Sequence, residues 1–133
     1  MMRRVGVVGA GSMGAAIAAL AASAGLDVIL LDVKGDRADP SAPARAGLER
    51  AARQRAFLDP GAVARVRVGN VEDNLEALRD CDWVVEAIVE DRESKRALFR
   101  SLAQVLAPRT VVTTNTSTFT LAGLVPPEGV PFQ

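Results

Sequence analysis

The hydrophobic and polar residues of this chain follow two patterns that alternate along its length. Short runs of mostly apolar or alternating residues, which are typical of β-strands, occupy positions 5–8, 28–31, 66–68, 83–88 and 110–114. The segments between them have helical spacing, and we predict helices over 13–24, 44–57, 72–79 and 91–106 and a further helical turn over 120–125. This alternation predicts an α/β fold with a doubly wound, mostly parallel sheet.

Two of the predicted helices carry an apolar stripe that we expect to face the sheet. The stripe of the first helix consists of Met13, Ile17, Leu20 and Ala24. The stripe of the helix over 91–106 consists of Leu98, Leu102, Val105 and Leu106, with Phe99 at its edge. The helix over 44–57 has a strongly basic face instead.

Length and composition agree with a single domain that has a sizeable core. The chain has 133 residues, of which 49% are hydrophobic, and its 16 basic residues balance its 16 acidic ones. This balance indicates neither a nucleic-acid nor an anionic membrane partner. Residues 1–125 are predicted to form the domain, and the Pro- and Gly-rich residues 126–133 an irregular tail at a truncation point.

The cysteine and histidine content excludes two kinds of site. Cys81 is the only cysteine and there is no histidine, so neither an internal disulfide nor a Cys/His metal site is predicted. We expect Cys81 to be a small buried side chain beside the fourth strand. Arg3 and Arg4 precede an apolar run, as in a signal peptide, but that run also forms the first strand and helix, which favours a cytoplasmic protein.

A glycine-rich loop joins the first predicted strand to the first helix. It reads Gly9-Ala10-Gly11-Ser12-Met13-Gly14, which is G-x-G-x-x-G. In a dinucleotide-binding βαβ unit the first glycine permits the tight turn, the second lets a pyrophosphate approach the backbone, and the third lets the helix pack closely. The phosphates then face the free N–H groups and the positive end of the helix dipole.

Asp32 ends the second predicted strand, 23 residues after Gly9. A carboxylate there can accept hydrogen bonds from the adenosine ribose and would repel a 2′-phosphate, so NAD is favoured over NADP. Two alternatives are a glycine-rich turn without a ligand and, because residues 5–26 carry no charge, a membrane span. The glycines in that segment argue against a span.

Three segments together resemble the NAD-binding domain of L-3-hydroxyacyl-CoA dehydrogenases. They are the G-x-G-x-x-G loop, the segment Val85-Glu86-Ala87-Ile88-Val89-Glu90 followed by Lys95, and Asn115-Thr116-Ser117. The resemblance covers residue 2 to about residue 124. The basic stretch 44–65 is most similar to the long bacterial branch, in which the dehydrogenase is joined to an enoyl-CoA hydratase region. A Rossmann-type domain of a fatty-acid β-oxidation oxidoreductase is implied.

The resemblance also implies roles for individual residues. Glu90 and Lys95 would form a pair near the nicotinamide and its ribose, the alternative being an ordinary surface ion pair. Ser117 would be the catalytic residue that hydrogen-bonds the substrate's 3-hydroxyl or keto oxygen. Its alternative is to cap the next helix. The implied cofactor-binding residues are Gly9, Ala10, Gly11, Ser12, Met13, Gly14, Asp32, Val33, Ala87, Val89, Glu90, Lys95 and Asn115.

One part of the family's chemistry is missing from these residues. The reaction needs a general base for the hydroxyl proton, and in the family a histidine oriented by a glutamate supplies it after the Asn-Thr-Ser segment. The 133 residues contain no histidine. The resemblance thus implies the amino-terminal piece of an enzyme that is inactive or nearly so alone, with acyl-CoA as substrate and a homodimer as the full-length form.

Two further interpretations stay open at this point. The chain could be a free-standing NAD(H)-binding module that senses the cofactor or regulates a partner, and the substrate could be a different 3-hydroxy acid. The basic face between Arg45 and Arg55 could contact CoA phosphates or only solvent.

Overall fold

Five parallel strands form a single sheet in the computed structural model, which describes residues 1–133. The strands are β1 (Arg4–Val8), β2 (Asp27–Asp32), β3 (Val66–Asn70), β4 (Trp83–Glu86) and β5 (Val111–Thr114). Their order across the sheet is β3-β2-β1-β4-β5, and every neighbouring pair is parallel. The predicted α/β fold with a doubly wound parallel sheet is confirmed, and the strand order reverses between β1 and β4.

Helices cover both faces of this sheet. They are α1 (Ser12–Ser23), α2 (Ala42–Arg53), α3 (Arg92–Ala103) and α4 (Leu121–Leu124), with 3-10 helices at Pro60–Arg65 and Leu75–Leu78. The helices α1 and α2 pack on one hydrophobic core, and α3 and α4 pack on a second core across the sheet. None of the helices has the length and apolar character needed to cross a bilayer.

Several predicted boundaries differ from the structure. The strand predicted over 83–88 ends at Glu86, and the helix predicted over 91–106 ends at Ala103. The helix predicted over 44–57 ends at Arg53, because Arg55 adopts a left-handed backbone with a φ of 57°. The predicted turn at Gly69 and Asn70 belongs to β3, because these residues pair with Leu31 and Asp32 of β2. The helix predicted over 72–79 is a turn followed by the short 3-10 helix.

The apolar stripe predicted for α1 is wrong for three of its four residues, and only Ile17 packs against the core. Met13 and Leu20 are 58% and 60% exposed, and Ala24 is exposed as well. The buried residues of α1 are Gly14, Ala15, Ala18, Ala19, Ala21 and Ala22. At Gly14 an added Cβ would lie 1.7 Å from the carbonyl oxygen of Gly9, so the helix touches the β1 turn directly. Only small residues fit at such a close approach, and the large side chains are turned outward.

The stripe predicted for the helix over 91–106 is largely confirmed. Leu98, Leu102 and Leu106 are buried, Val105 is half-buried, and Phe99 is buried rather than at the edge. Cys81 is buried as predicted, and burial raises the pKa of its thiol to about 12.

Residues 126–133 contain no helix or strand but contact the rest of the chain. The amide of Gln133 donates to the carbonyl of Thr110, and the carbonyl of Gln133 accepts from the amide of Val112 on β5. Arg100 and Glu128 form an ion pair at 2.7 Å, and Phe132 packs against the second core. The domain boundary at residue 125 stays a prediction.

The helix α2 packs directly on the glycine-rich loop. At Gly47 an added Cβ would lie 2.3 Å from the carbonyl oxygen of Ala10 and 2.7 Å from its Cβ. The guanidinium of Arg50 donates to the same carbonyl at 2.8 Å. Arg45 is paired with Asp39, so the basic face of this helix is partly used within the chain.

We expect Gly47→Ala to destabilise the fold. A Gly-to-Ala change inside a helix normally adds about 1 kcal/mol of stability, but here the new methyl group meets backbone atoms of Ala10. The net loss should be about 1–3 kcal/mol, measured by urea unfolding. The control is Ala46→Gly at the neighbouring exposed position, which should lose only about 1 kcal/mol through propensity. A Gly47→Ala protein more stable than the parent would contradict this packing.

Candidate functional site

An open cleft of about 870 Å³ runs along the carboxyl ends of the strands. It crosses the point between β1 and β4 where the strand order reverses, which is where ligands bind in sheets of this kind. Twelve of the fourteen residues predicted as site residues line it: Gly9, Gly11, Ser12, Met13, Gly14, Asp32, Val33, Ala87, Val89, Glu90, Asn115 and Ser117. The other two, Ala10 and Lys95, are buried behind the lining.

The glycine-rich loop forms the middle of the cleft. Gly9 has a φ of 109°, and an added Cβ there would lie 2.2 Å from the carbonyl oxygen of Ala87, so only glycine fits. At Gly11 an added Cβ would meet nothing within 4 Å. Gly11 is also the N-cap of α1, and no side chain caps this helix end. The backbone at Gly11 is therefore open to a ligand at the start of a helix, where anions bind.

Asp32 lies on the β2 side of the loop and has two backbone partners. One carboxylate oxygen accepts from the amide of Ala10 at 2.8 Å, and the other accepts from the amide of Val33 at 2.7 Å. The side chain thus ties the glycine-rich loop to the end of β2. A carboxylate oxygen can accept more than one hydrogen bond, so both retain acceptor capacity toward the cleft.

Acidic groups surround the β2 end of the cleft. Glu72 lines the cleft near Asp32. The nearby ammonium of Lys34 is 3.0 Å from Asp73 and 3.8 Å from Glu72. This lysine is therefore already paired with acidic side chains of the chain itself.

Lys95 and Glu90 are paired on the β4 side, but not as a surface ion pair. The ammonium of Lys95 lies 3.0 Å from Glu90 and 2.6 Å from Glu86, and the side chains of Lys95 and Glu86 are both 0% exposed. The Glu90 side chain is 41% exposed and faces the cleft. A hydrogen bond from Thr116, together with Lys95, holds the pKa of the Glu90 carboxyl below its usual value.

Asn115 and Ser117 follow β5 and face the same end of the cleft. The amide of Asn115 donates to the carbonyl of Glu86 at 2.8 Å, which continues the pairing of β4 with β5. Ser117 is exposed, and its hydroxyl makes no hydrogen bond within the chain. The helix α4 is capped by Thr120, whose hydroxyl accepts from the amide of Gly123 at 3.1 Å. The alternative in which Ser117 caps that helix is wrong.

Several residues around the cleft were not predicted from the sequence. Glu86 was quoted only as part of a motif, although a charged residue inside the apolar run Trp83-Val84-Val85-Glu86-Ala87-Ile88 was a usable signal. Thr114 and Thr116 bond to the two glutamates. Thr114 carried no signal beyond strand propensity, and Thr116 was quoted only as part of a motif. Val71 and Leu75 supply apolar lining on the β2 side.

Comparison with known proteins identifies the family. The family model described as "3-hydroxyacyl-CoA dehydrogenase, NAD binding domain" matches residues 4–126. This chain belongs to that family. It is therefore an NAD-binding domain of the Rossmann type, and its cofactor is NAD.

Relatives of this NAD-binding domain carry matching names. A protein of Deinococcus radiodurans named as a probable 3-hydroxyacyl-CoA dehydrogenase is 44% identical over 119 residues, which cover 87% of this chain and 34% of the relative. The 3-hydroxybutyryl-CoA dehydrogenase of Bradyrhizobium diazoefficiens is 36% identical over 125 residues, covering 93% and 43%. The crystal structure of 3-hydroxybutyryl-CoA dehydrogenase from Escherichia coli superposes with a TM-score of 0.74 at 34% identity, covering 93% and 26%. The chain spans less than half the length of each of these proteins.

We expect Glu90 to titrate below the ordinary value of 4.5. A lowered pKa means that ionised Glu90 stabilises the folded chain above pH 4.5, and that this contribution is lost as the pH falls through the lowered value. Thr116→Val should move the pKa up toward 4.5, as followed by carbon NMR of the glutamate carboxyl groups. Thr113→Val, whose hydroxyl accepts from Trp83 instead, is the control and should leave Glu90 unchanged. An unchanged pKa in Thr116→Val would remove the Thr116 hydrogen bond as a cause.

Proposed function

We propose that this NAD-binding domain serves an enzyme that oxidises an L-3-hydroxyacyl-CoA to the 3-ketoacyl-CoA in fatty-acid β-oxidation. The observation that carries the proposal is that the glycine-rich loop, Asp32, Glu90, Asn115 and Ser117 all line one cleft. The loop lies in the middle of the cleft. Asp32, which is predicted to bind the adenosine ribose, and Ser117, which is predicted to bind the substrate, lie at opposite ends of it. The names of the relatives support this class of reaction.

The strand order supports one orientation for the dinucleotide. With the pyrophosphate at Gly11 and the adenosine ribose at Asp32, the adenosine lies over β2, beside the apolar lining from Val71 and Leu75. The other nucleoside must then lie over β4 and β5, because these strands are on the opposite side of β1. The nicotinamide end is thus proposed to lie beside Glu90 and residues 115–117.

The proposed chemistry uses these residues to orient the reactants. When bound, NAD would supply the acceptor for a hydride from the 3-carbon of the substrate, and a general base would take the hydroxyl proton. Ser117 would donate a hydrogen bond to the substrate oxygen, and Glu90 would accept from ribose hydroxyls. The chain contains no histidine, so the base is proposed to come from another part of a longer enzyme.

Further properties of the whole protein belong to the same proposal. The resemblance supports an acyl-CoA substrate and a homodimer for the full-length enzyme. A cytoplasmic location is supported by the single, buried, unpaired Cys81.

The proposal is tested by titrating the purified chain with NADH and NADPH, followed by calorimetry. Saturable binding that prefers NADH is expected, because Asp32 and Glu72 repel a 2′-phosphate and Lys34 is already paired. Asp32→Ala should reduce the preference about tenfold, which corresponds to about 1.4 kcal/mol.

The ratio of the NADH and NADPH affinities distinguishes the loss of the Asp32 charge from a loss of order in the glycine-rich loop. Asp32→Ala also removes two hydrogen bonds to backbone amides, but a looser loop weakens both cofactors alike. Asp36→Ala, which removes an exposed carboxylate that does not line the cleft, should leave the ratio unchanged. The proposal would be contradicted by a folded chain that binds neither cofactor. An unchanged ratio of the NADH and NADPH affinities in Asp32→Ala would exclude Asp32 from the selection between the two cofactors.

Ser117→Ala tests the proposed substrate contact. The affinity for NADH should change by no more than a few-fold. The stability of the fold should stay unchanged, because this hydroxyl has no partner within the chain and caps no helix. In a dehydrogenase that carries this domain, turnover should fall about a hundredfold, the usual effect of losing one donor to a developing oxyanion. Unchanged turnover, measured as NADH formation from a 3-hydroxyacyl-CoA, would exclude Ser117 from the reaction.

A further inference from the structure

A closed ring of hydrogen bonds and one ion pair connects the ends of β4 and β5 to the first turn of α3. The ammonium of Lys95 donates to Glu86 at 2.6 Å and forms an ion pair with Glu90 at 3.0 Å. The hydroxyl of Thr116 donates to the other carboxylate oxygen of Glu90 at 2.8 Å, and the amide of Thr116 donates to the hydroxyl of Thr114 at 3.1 Å. The Thr114 hydroxyl donates to the second oxygen of Glu86, which closes the ring.

The ammonium of Lys95 is enclosed by acceptors of its own chain. Besides its ion pairs with the two glutamates, it donates to the carbonyl of Ile88 at 3.4 Å. Its side chain and that of Glu86 are fully buried. A buried charge is stable only with partners, and moving Lys95 toward a cofactor would strip Glu86 of its counter-ion. Of the three charged members, only Glu90 reaches the cleft.

The ring also fixes the backbone of both loops beside the cleft. Glu86 accepts from the amide of Ile88 at 2.8 Å, which orients the segment between β4 and α3. The hydroxyl of Thr116 accepts from the amides of Thr118 and Phe119, each at 3.2 Å. The segment that carries Ser117 is therefore bonded on both sides to groups of the ring.

We propose that Glu86 and Thr114 are positioning residues for the nicotinamide end of the cleft. Through Lys95 and Thr116 they hold the Glu90 carboxylate and residues 115–117 in place, and neither of the two lines the cleft. This inference rests on the proposed orientation of the dinucleotide. A group fixed before binding loses little conformational freedom when the ligand arrives, which strengthens binding at that end.

Thr114→Val tests the ring without changing any charge. Valine keeps the shape and strand propensity of threonine but removes the hydroxyl that joins Glu86 to Thr116. The affinity for NADH should fall about three- to tenfold. The affinity for ADP should stay within about twofold, because ADP carries only the adenosine and pyrophosphate that bind at the β2 side and the loop.

Three controls separate positioning from general damage to the fold. Thr114→Ser restores the hydroxyl and should restore NADH affinity. Thr113→Val removes a hydroxyl from the adjacent residue of β5, which accepts from Trp83 rather than joining the ring, and should leave both affinities unchanged. Thermal unfolding of each variant verifies that the binding measurements are made on folded protein.

The outcomes distinguish this inference from the proposed function. If the parent chain binds neither ADP nor NADH, both are overturned. If the parent binds both and Thr114→Val loses them equally, or loses neither, only the ring is excluded as a positioning device. If NADH binds the parent no more tightly than ADP, the nicotinamide end contributes nothing and the inference also fails. Loss of NADH affinity alone, rescued by Thr114→Ser, supports it.

Discussion

The contact between the first turn of α1 and the carbonyl of Gly9 determines how the helices on this face of the sheet can pack. Because no Cβ fits at Gly14, the helix starts directly above the end of β1, and its first amides open into the middle of the cleft. The same closeness requires small residues along the inner side of α1. The second helix, α2, packs on the glycine-rich loop through Gly47 and Arg50. The backbone of this loop, which forms the middle of the cleft, is therefore in contact with both α1 and α2.

The two ends of the cleft keep their charges in different ways. At the β2 end Asp32 is bonded to backbone amides and Lys34 is paired with acidic neighbours, which leaves negative charge facing the cleft. At the β4 end a buried lysine stands between two glutamates, one buried and one at the cleft. Buried ion pairs contribute little net stability compared with apolar packing, so an arrangement of this kind is better explained by what it orients than by what it stabilises.

The fold and most of the cleft could be predicted from local patterns. Apolar runs located the strands, and the glycine spacing with Asp32 at the end of β2 located the loop and one end of the site. What failed depended on distances between elements. The exposure of Met13 and Leu20 follows from how closely α1 approaches the sheet, and helical spacing contains no such distance. The burial of Lys95 depends on its contact with Glu86 at the end of β4. The two residues are nine positions apart in the sequence, and that spacing does not indicate the contact. That Thr120, not Ser117, caps α4 depended on where a four-residue helix begins.

The register of the central strands has a consequence for how the cleft comes into being. β1 pairs with β2 through a short local crossover, whereas its pairing with β4 joins residues 78 positions apart. The cleft lies across this second, non-local pairing, so neither half of the chain contains it alone. Non-local pairings carry the larger loop-closure cost and are associated with slow folding. A ligand that spans the boundary between β1 and β4 binds only chains in which these two strands have paired. Binding of the cofactor therefore stabilises the completely folded chain by mass action.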